Sequence, residues 1–557
     1  MLFAASACRG TPPAESGGKT TGGGELVASL RSGPRGFNRY FEQSAPADLI
    51  SLLTHARLVR VNRVTDALEP ALAESWHQSG DTYTLKLRQG VTFSDGAPFT
   101  AADVLFSFAV AYDDSPQSVL GPALAIAGKP LQVSSTDPGS VVIRFPEPFA
   151  PGVRILDNLP ILPKHKLEAA FLAGKTDTAW TLATPASEIV GLGPFVLTEH
   201  AAGQRLIFSR NPHYWRRAAD HTPLPYLDRL TVEIITEQNA EALRLESGTI
   251  DLMSNADIRP DDYARFKRLA EQKRLQLIDV GLALDPSVLW FNLTPSTGAD
   301  PKPWLRRKEF RQALSYGVDR DAFANTVYLG AAAPVFGPVT TGNATWYSAA
   351  VPQQPYDPAK ARQLLAAAGL TDKDGDGVLE DASRKPVRFS VLLQGGHTLR
   401  ERSVSFLQEQ FRRLGIGLDV VGLDPPSMIA RWQKRDYDSI FHGFQLSATD
   451  PAMTLDFWRS SGSTHFWNPN QKSPATDWEA QIDGLMTRQV AAPDLAERQR
   501  IFVEVQRIFA EQLPAIYFVA PKVTVAMSPR VANAAPSPLI PQLLWAADTL
   551  AVSAPHR

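Results

Sequence analysis

Residues 68–110 read LEPALAESWHQSGDTYTLKLRQGVTFSDGAPFTAADVLFSFAV, and the fold is decided there. From Thr82 to Arg88 the chain alternates, with Tyr83, Leu85 and Leu87 on one face and Thr82, Thr84, Lys86 and Arg88 on the other. That is the period of a half-buried strand. Gly90 permits a turn, Val91-Thr92-Phe93 is a short extended return, and Asp95-Gly96 ahead of Pro98 makes a second turn. Thr100 can cap a helix whose first turn holds Asp103, where the helix dipole favours acid, and whose apolar face is Val104, Leu105 and Phe108. No residue in the block has catalytic spacing, so it reads as scaffold.

The run PALAESW, a strand, and then LRQGVTFSDGAPFTAADVLFSF resemble the signature region of ABC-transporter solute-binding proteins of the oligopeptide, dipeptide and nickel class. The resemblance implies an α/β, two-lobed periplasmic-binding-protein fold of type II, in its large three-subdomain form, with mixed sheets and a cleft at the hinge. It further implies an extracytoplasmic receptor that hands a solute to a membrane permease and separate ATPase subunits. On that pattern, residues 1–24 are a partial lipoprotein signal and tether. Residues 25–60, 191–284 and 511–557 form lobe I, 61–190 its inserted subdomain, and 285–510 lobe II.

Composition agrees with a multi-lobed receptor. A chain of 557 residues exceeds what one core usually organises. With 56 basic and 58 acidic side chains intermixed, the net charge of −2 leaves no footprint for nucleic acid or an anionic membrane surface. No apolar run approaches the roughly 18 residues needed to span a bilayer. The single cysteine, Cys8, excludes an internal disulfide framework and any multi-cysteine metal site. It follows the short apolar run MLFAASA and precedes a Pro/Gly/Ser-rich tether, the arrangement of a lipid-attachment site. The run is shorter than a complete signal core, so the chain is expected to start inside its own signal. A chance free cysteine is the bland alternative. Lipid anchoring through Cys8 at the periplasmic face or cell surface, and a monomer, are the expectations.

The remaining chain alternates strand and helix, which implies an α/β lobe with helices packed on a largely parallel sheet. Residues 48–64 read as an amphipathic helix with Leu49, Leu52, Leu53, Ala56 and Val59 on one side. Gly193-Pro194 reads as backbone geometry, and Gly248 as a helix C-cap. Residues 285–292, DPSVLWFN, look like the strand crossing into the second large lobe. The helical pair that follows carries RQALSYGVDR, whose charged residues are expected to cap and face solvent.

Chemistry-bearing patterns are few. GGKT at 17–20 lacks the first glycine of a phosphate loop, because position 13 is Pro13, so ATP is not expected here. No G-x-S-x-G or H-E-x-x-H occurs, and the ten histidines have no ligand spacing, so no enzyme is indicated. Facing carboxylates of a cleft hydrolase brought together across lobes are the alternative that sequence leaves open. Asp372, Asp374 and Asp376, with the Val378 carbonyl and Glu380, match the first half of an EF-hand-type loop, but the twelfth position is Ser383. A structural calcium and a solvated acidic turn both fit; no other cofactor is called for.

Eleven tryptophans and twelve tyrosines suit a receptor that encloses its ligand. Loop and strand-end positions make Tyr40, Trp290, Trp432, Phe444 and Trp467 candidate walls, with Asn38, Asn292 and Gln445 as candidate polar contacts. The resemblance is most specific at 444–451, FQLSATDP. Peptide-binding members carry an aspartate four residues before this proline to pair the peptide ammonium, and here that position is Ser447. An enclosed ammonium without its carboxylate loses roughly 3–5 kcal/mol. A free peptide N-terminus is therefore disfavoured unless Asp450 takes over. A sugar such as an oligosaccharide, a modified peptide or another polar solute becomes more competitive, and a receptor for a metal chelate or haem in the same fold is a separate alternative.

Overall fold

The computed structural model describes residues 23–253, 258–296, 298, 300–443 and 449–553. Three main sheets organise them. The first has eight strands, with Phe195–Ala201, Arg205–Arg210, Arg229–Ile234, Glu25–Leu30, Leu252–Met253, Val519–Met527 and Gln276–Leu282 in spatial order, and Ala332–Pro334 paired onto Val519–Met527. The second runs Gly417–Leu423, Arg388–Gln394, Ser439–Phe441, Val288–Phe291, Ala515–Tyr517. The third is the antiparallel set Ala73–Ser79, Thr82–Leu87, Ser140–Arg144 and Gln132–Asp137.

The signature block behaves as its pattern dictates. Tyr83, Leu85 and Leu87 are buried while Thr84 and Lys86 are exposed. Thr100 caps the helix Ala101–Ala111 in a full capping box with Asp103, which satisfies two N–H groups the helix start would otherwise leave open. The other carboxylate oxygen of Asp103 accepts from the Lys164 N–H at 3.1 Å, so one side chain fixes two helix starts.

The helix expected over 48–64 is shorter, Ala45–Thr54, and Val59–Val61 is a strand paired with Leu68–Pro70. The β-branched valines side with the strand, and Gly193 explains where the helix stops. A Cβ on Gly193 would lie 2.4 Å from the Thr54 carbonyl carbon, and its own N–H donates to Thr54 O at 2.9 Å. Gly248 does close the helix Gln238–Ser247, at φ 75°.

The second sheet is mixed. Arg388–Gln394 is parallel to both of its neighbours, whereas Val288–Phe291 is antiparallel to Ser439–Phe441 and Ala515–Tyr517. The chain passes from the first sheet to the second through 283–287 and returns at Phe518, so Ala515–Tyr517 still belongs to the second sheet. The two crossings bind each other, Ser287 N donating to Val519 O at 2.8 Å and Phe518 N to Ser287 O at 3.0 Å. Two arginines expected in solvent reinforce this junction. Arg320 is buried and donates to Tyr517 O at 2.9 Å and Val335 O at 3.2 Å. Arg311, also buried, donates to Leu513 O and Gln512 O at 2.8 and 2.7 Å. Their forks satisfy carbonyls that irregular crossing backbone leaves unpaired. Among the described residues, no helix is long and apolar enough to cross a membrane.

Candidate ligand cleft

A cavity of about 590 Å³ lies where the start of the helix Ala45–Thr54, the inserted part of the chain and the segment after residue 449 face one another. That is within the roughly 300–1,000 Å³ of small-ligand sites. Its walls carry four arginines, Arg39, Arg57, Arg63 and Arg154, and two carboxylates, Asp48 and Asp157. Arg39 is paired with Asp48. Arg154 is paired with Asp66 and donates to the Thr449 hydroxyl at 3.0 Å, while that hydroxyl donates to Asp66 at 2.7 Å. This triangle ties the inserted subdomain to the second lobe across the cleft. Arg57 and Arg63 bond backbone and hydroxyl oxygens instead. Burial lowers the pKa of both, Arg63 to about 10, so Arg63 is charged at neutral pH.

Thr449 also borders a second, apolar pocket of about 50 Å³ formed by Trp290, Val339, Phe457, Trp458 and Phe502. Its size suits one small apolar group beside the main cleft. Asn343 lines it and donates to Thr449 O at 2.8 Å, while its own side-chain oxygen is buried without a partner.

Most of the aromatic and polar residues singled out from sequence are used by the protein itself. Tyr40 is fully buried with its hydroxyl on Pro160 O at 2.7 Å. Asn38 donates to Thr176 O at 3.1 Å and accepts from Tyr40 N at 3.2 Å. Asn292 donates to Arg435 O and Tyr437 O at 3.0 and 2.8 Å and accepts from Thr294 N, so it pins backbone rather than ligand. Trp432 stacks on Phe466 at 4.9 Å, and Trp467 is fully buried with its N–H on Glu479 at 3.1 Å. Trp290 lines the 50 Å³ pocket with its N–H held by His442 O at 2.9 Å, and Asn38 borders a separate cavity of about 400 Å³. Asp450 cannot take over an ammonium. It is buried in a two-armed bond with Arg498, 2.8 Å on one arm, and also accepts from Ala452 N. Phe444, Gln445, Ser447 and Cys8 lie outside the described residues.

Arg57, Arg63, Arg154 and Thr449 were not anticipated. The available signal was ARLVRVNRV, three arginines at a spacing of three, but assigning this stretch to a helix disguised it.

The acidic loop converges as its spacing suggests. Asp372, Asp374, Asp376 and Glu380 each place a ligand atom within 4.8 Å of the others. Two oxygens on opposite sides of a calcium ion are about 4.6–5.2 Å apart, so the donor set fits that ion. Asp372 accepts from Gly375 N and Gly377 N, and Glu380 from Lys373 N at 2.7 Å, which holds the turn closed.

The chain is 25% identical over 515 residues to a probable ABC transporter-binding protein of Deinococcus radiodurans, covering 88% of this chain and 86% of the relative. It is 26% identical over 541 residues to the oligopeptide-binding protein AppA of Bacillus subtilis, with 94% and 92% covered. The crystal structure of NikA from Brucella suis in complex with Fe(III)-EDTA superposes with a TM-score of 0.78 at 22% identity, over 95% of this chain and 100% of that one. The family model for bacterial extracellular solute-binding proteins, family 5, middle region, matches residues 67–466. With that match spanning most of the chain, and with crossing strands, mixed sheets and an interlobe cleft in place, the chain belongs to the family 5 bacterial extracellular solute-binding proteins, the substrate-binding components of ABC transporters.

Proposed function

We propose that the protein captures a peptide-like or other small polar solute in the 590 Å³ cleft and delivers it to a membrane permease, without turning it over. The observation that carries this is a ligand-sized cleft whose walls come from both sides of a two-strand crossing, so that rotation about 283–287 and 518 would open and close it. Closure signals occupancy only if ligand binds the closed form better. The oligopeptide-binding relative supports the peptide-like class. The protein works as a monomer tethered outside the cytoplasm through a lipid on Cys8, supported by the small residues before it and the flexible run after it. Native mass spectrometry of gently purified protein tests the reading. A mass excess lost on denaturation is expected, whereas a bare chain that no member of a peptide library stabilises against heat would refute it.

The loop from Asp372 to Glu380 takes a calcium ion as a structural brace between the helix Pro358–Ala367 and the strand Arg388–Gln394. The converging oxygens support this. Because Ser383 replaces the bidentate twelfth ligand, affinity should fall in the weak range, about 10⁻⁴–10⁻³ M. Calorimetric titration of calcium into the full chain should give one site that Asp374→Ala abolishes; no heat at millimolar calcium would refute it.

A further inference from the structure

The geometry points to Arg57 and Arg63 as an oxyanion subsite of this cleft, so that the captured solute carries a carboxylate or phosphoryl group. This rests on the solute-capture reading above. A recess of about 80 Å³ adjoins the main cavity, and the two share one wall, Leu52, Arg57, Val61, Arg63 and Asp157. Both arginines therefore line the cleft and the recess alike.

The other cations around these two spaces have carboxylate partners. Arg39 pairs with Asp48, Arg154 with Asp66, and Arg60 and Arg216 with Asp548. Arg57 and Arg63 pair with none among the described residues. Arg57 donates to Asp157 O at 2.9 Å, Ser51 O at 3.5 Å and Ser51 Oγ at 3.3 Å; Arg63 donates to Ile540 O. A guanidinium has five N–H groups, so both retain donors. Asp157 offers Arg57 its backbone oxygen and Asp48 is paired with Arg39, so neither guanidinium is bonded to a carboxylate in these half-buried surroundings. A partly desolvated cation without a counter-ion is costly. A ligand oxyanion gripped by two forks removes that cost in the bound state, and the planar fork matches carboxylate and phosphate oxygens. The same wall repels a ligand ammonium, in keeping with serine rather than aspartate at position 447.

The test uses the full chain and a defined mixture of di- and tripeptides, each present as the free acid and the C-terminal amide, together with phosphoserine, sugar phosphates and neutral oligosaccharides. The protein is incubated with the mixture, filtered and denatured, and the released molecules are weighed. Retention of anionic members is expected, with carboxylate or phosphoryl compounds identifying the source of the oxyanion. Arg57→Gln and Arg63→Gln should each reduce that retention about tenfold or more, Arg63→Lys should restore part of it, and Arg412→Gln, an exposed arginine that lines neither space, should leave it unchanged. Arg63 makes a single side-chain bond among the described residues, so its variant remains informative should Arg57→Gln fail to fold; melting curves establish which variants fold. Equal retention of acids and amides, or unchanged retention in folded Arg63→Gln, overturns the subsite. No retention by the parent chain overturns the solute-capture reading itself.

Discussion

At Asp450 burial decides the role. Its carboxylate and the Arg498 guanidinium meet through two N–H···O bonds with side chains only 7% and 6% exposed, and Arg498 also holds Gln489 O at 3.1 Å. Removing one partner leaves the other charged and buried, a loss of about 3–5 kcal/mol. Asp450→Ala should therefore shift the denaturant midpoint sharply downward; an unchanged midpoint with lost ligand binding would instead place this residue in the site. His55 carries a second residue-scale prediction. Its ring is buried, one nitrogen shares a 2.8 Å bond with Thr54 and the other has no partner. Burial, aided by the Arg57 charge, lowers its pKa to about 3. The unfolded chain then binds a proton near pH 6.5 that the folded one refuses, so the stabilising effect is full above 6.5 and lost as pH falls toward 3. The slope is about 1.4 kcal/mol per unit. Denaturation at pH 7 and pH 5 should show His55→Gln losing about 2 kcal/mol less than the parent.

At the scale of elements, local chemistry was legible where it was self-contained. The strand Thr82–Leu87 and its capped helix follow from an alternation and a capping box that lie within thirty residues. Thr100→Ala should cost about 1 kcal/mol, read as a lower melting midpoint that Thr100→Ser recovers. The helix after Ser44 ends where its own sequence does not say, because the end is imposed from 139 residues away, where Gly193 lies against Thr54. That contact also makes a prediction. Gly193→Ala places its Cβ 2.4 Å from backbone that is hydrogen-bonded in place, so destabilisation should reach the upper part of the about 1–3 kcal/mol typical of overpacking. A neutral result would mean that the helix end yields. Site residues were the least legible for a related reason. Trp467, Tyr40 and Asn292 have the residue types of a binding wall, yet Glu479, Pro160 and Tyr437 engage their polar atoms. Sequence lists donors and acceptors; only the fold tells which are already engaged.

At the scale of the whole molecule, the position of the lobes should set apparent affinity through the population of the closed form. The Asp66–Arg154–Thr449 triangle joins the inserted subdomain to the second lobe, and opening the cleft would separate its members. Asp66 holds φ 60°, a conformation that asparagine shares readily, so Asp66→Asn removes the charge while keeping the turn. The pair is partly exposed, at 15% and 21%, and screening confines its worth to about 1 kcal/mol. A closed form weakened by that amount lowers affinity about fivefold when the open form dominates without ligand. Small-angle scattering should show a larger ligand-free radius for Asp66→Asn and the parent radius once ligand is saturating. Weaker binding with identical scattering would assign Asp66 to the ligand rather than to closure, and identical binding would mean that the other contacts between the lobes, such as Ala452 and Val490 packed into the first core and the Ala150 N–H on Val490 O, hold them without the triangle.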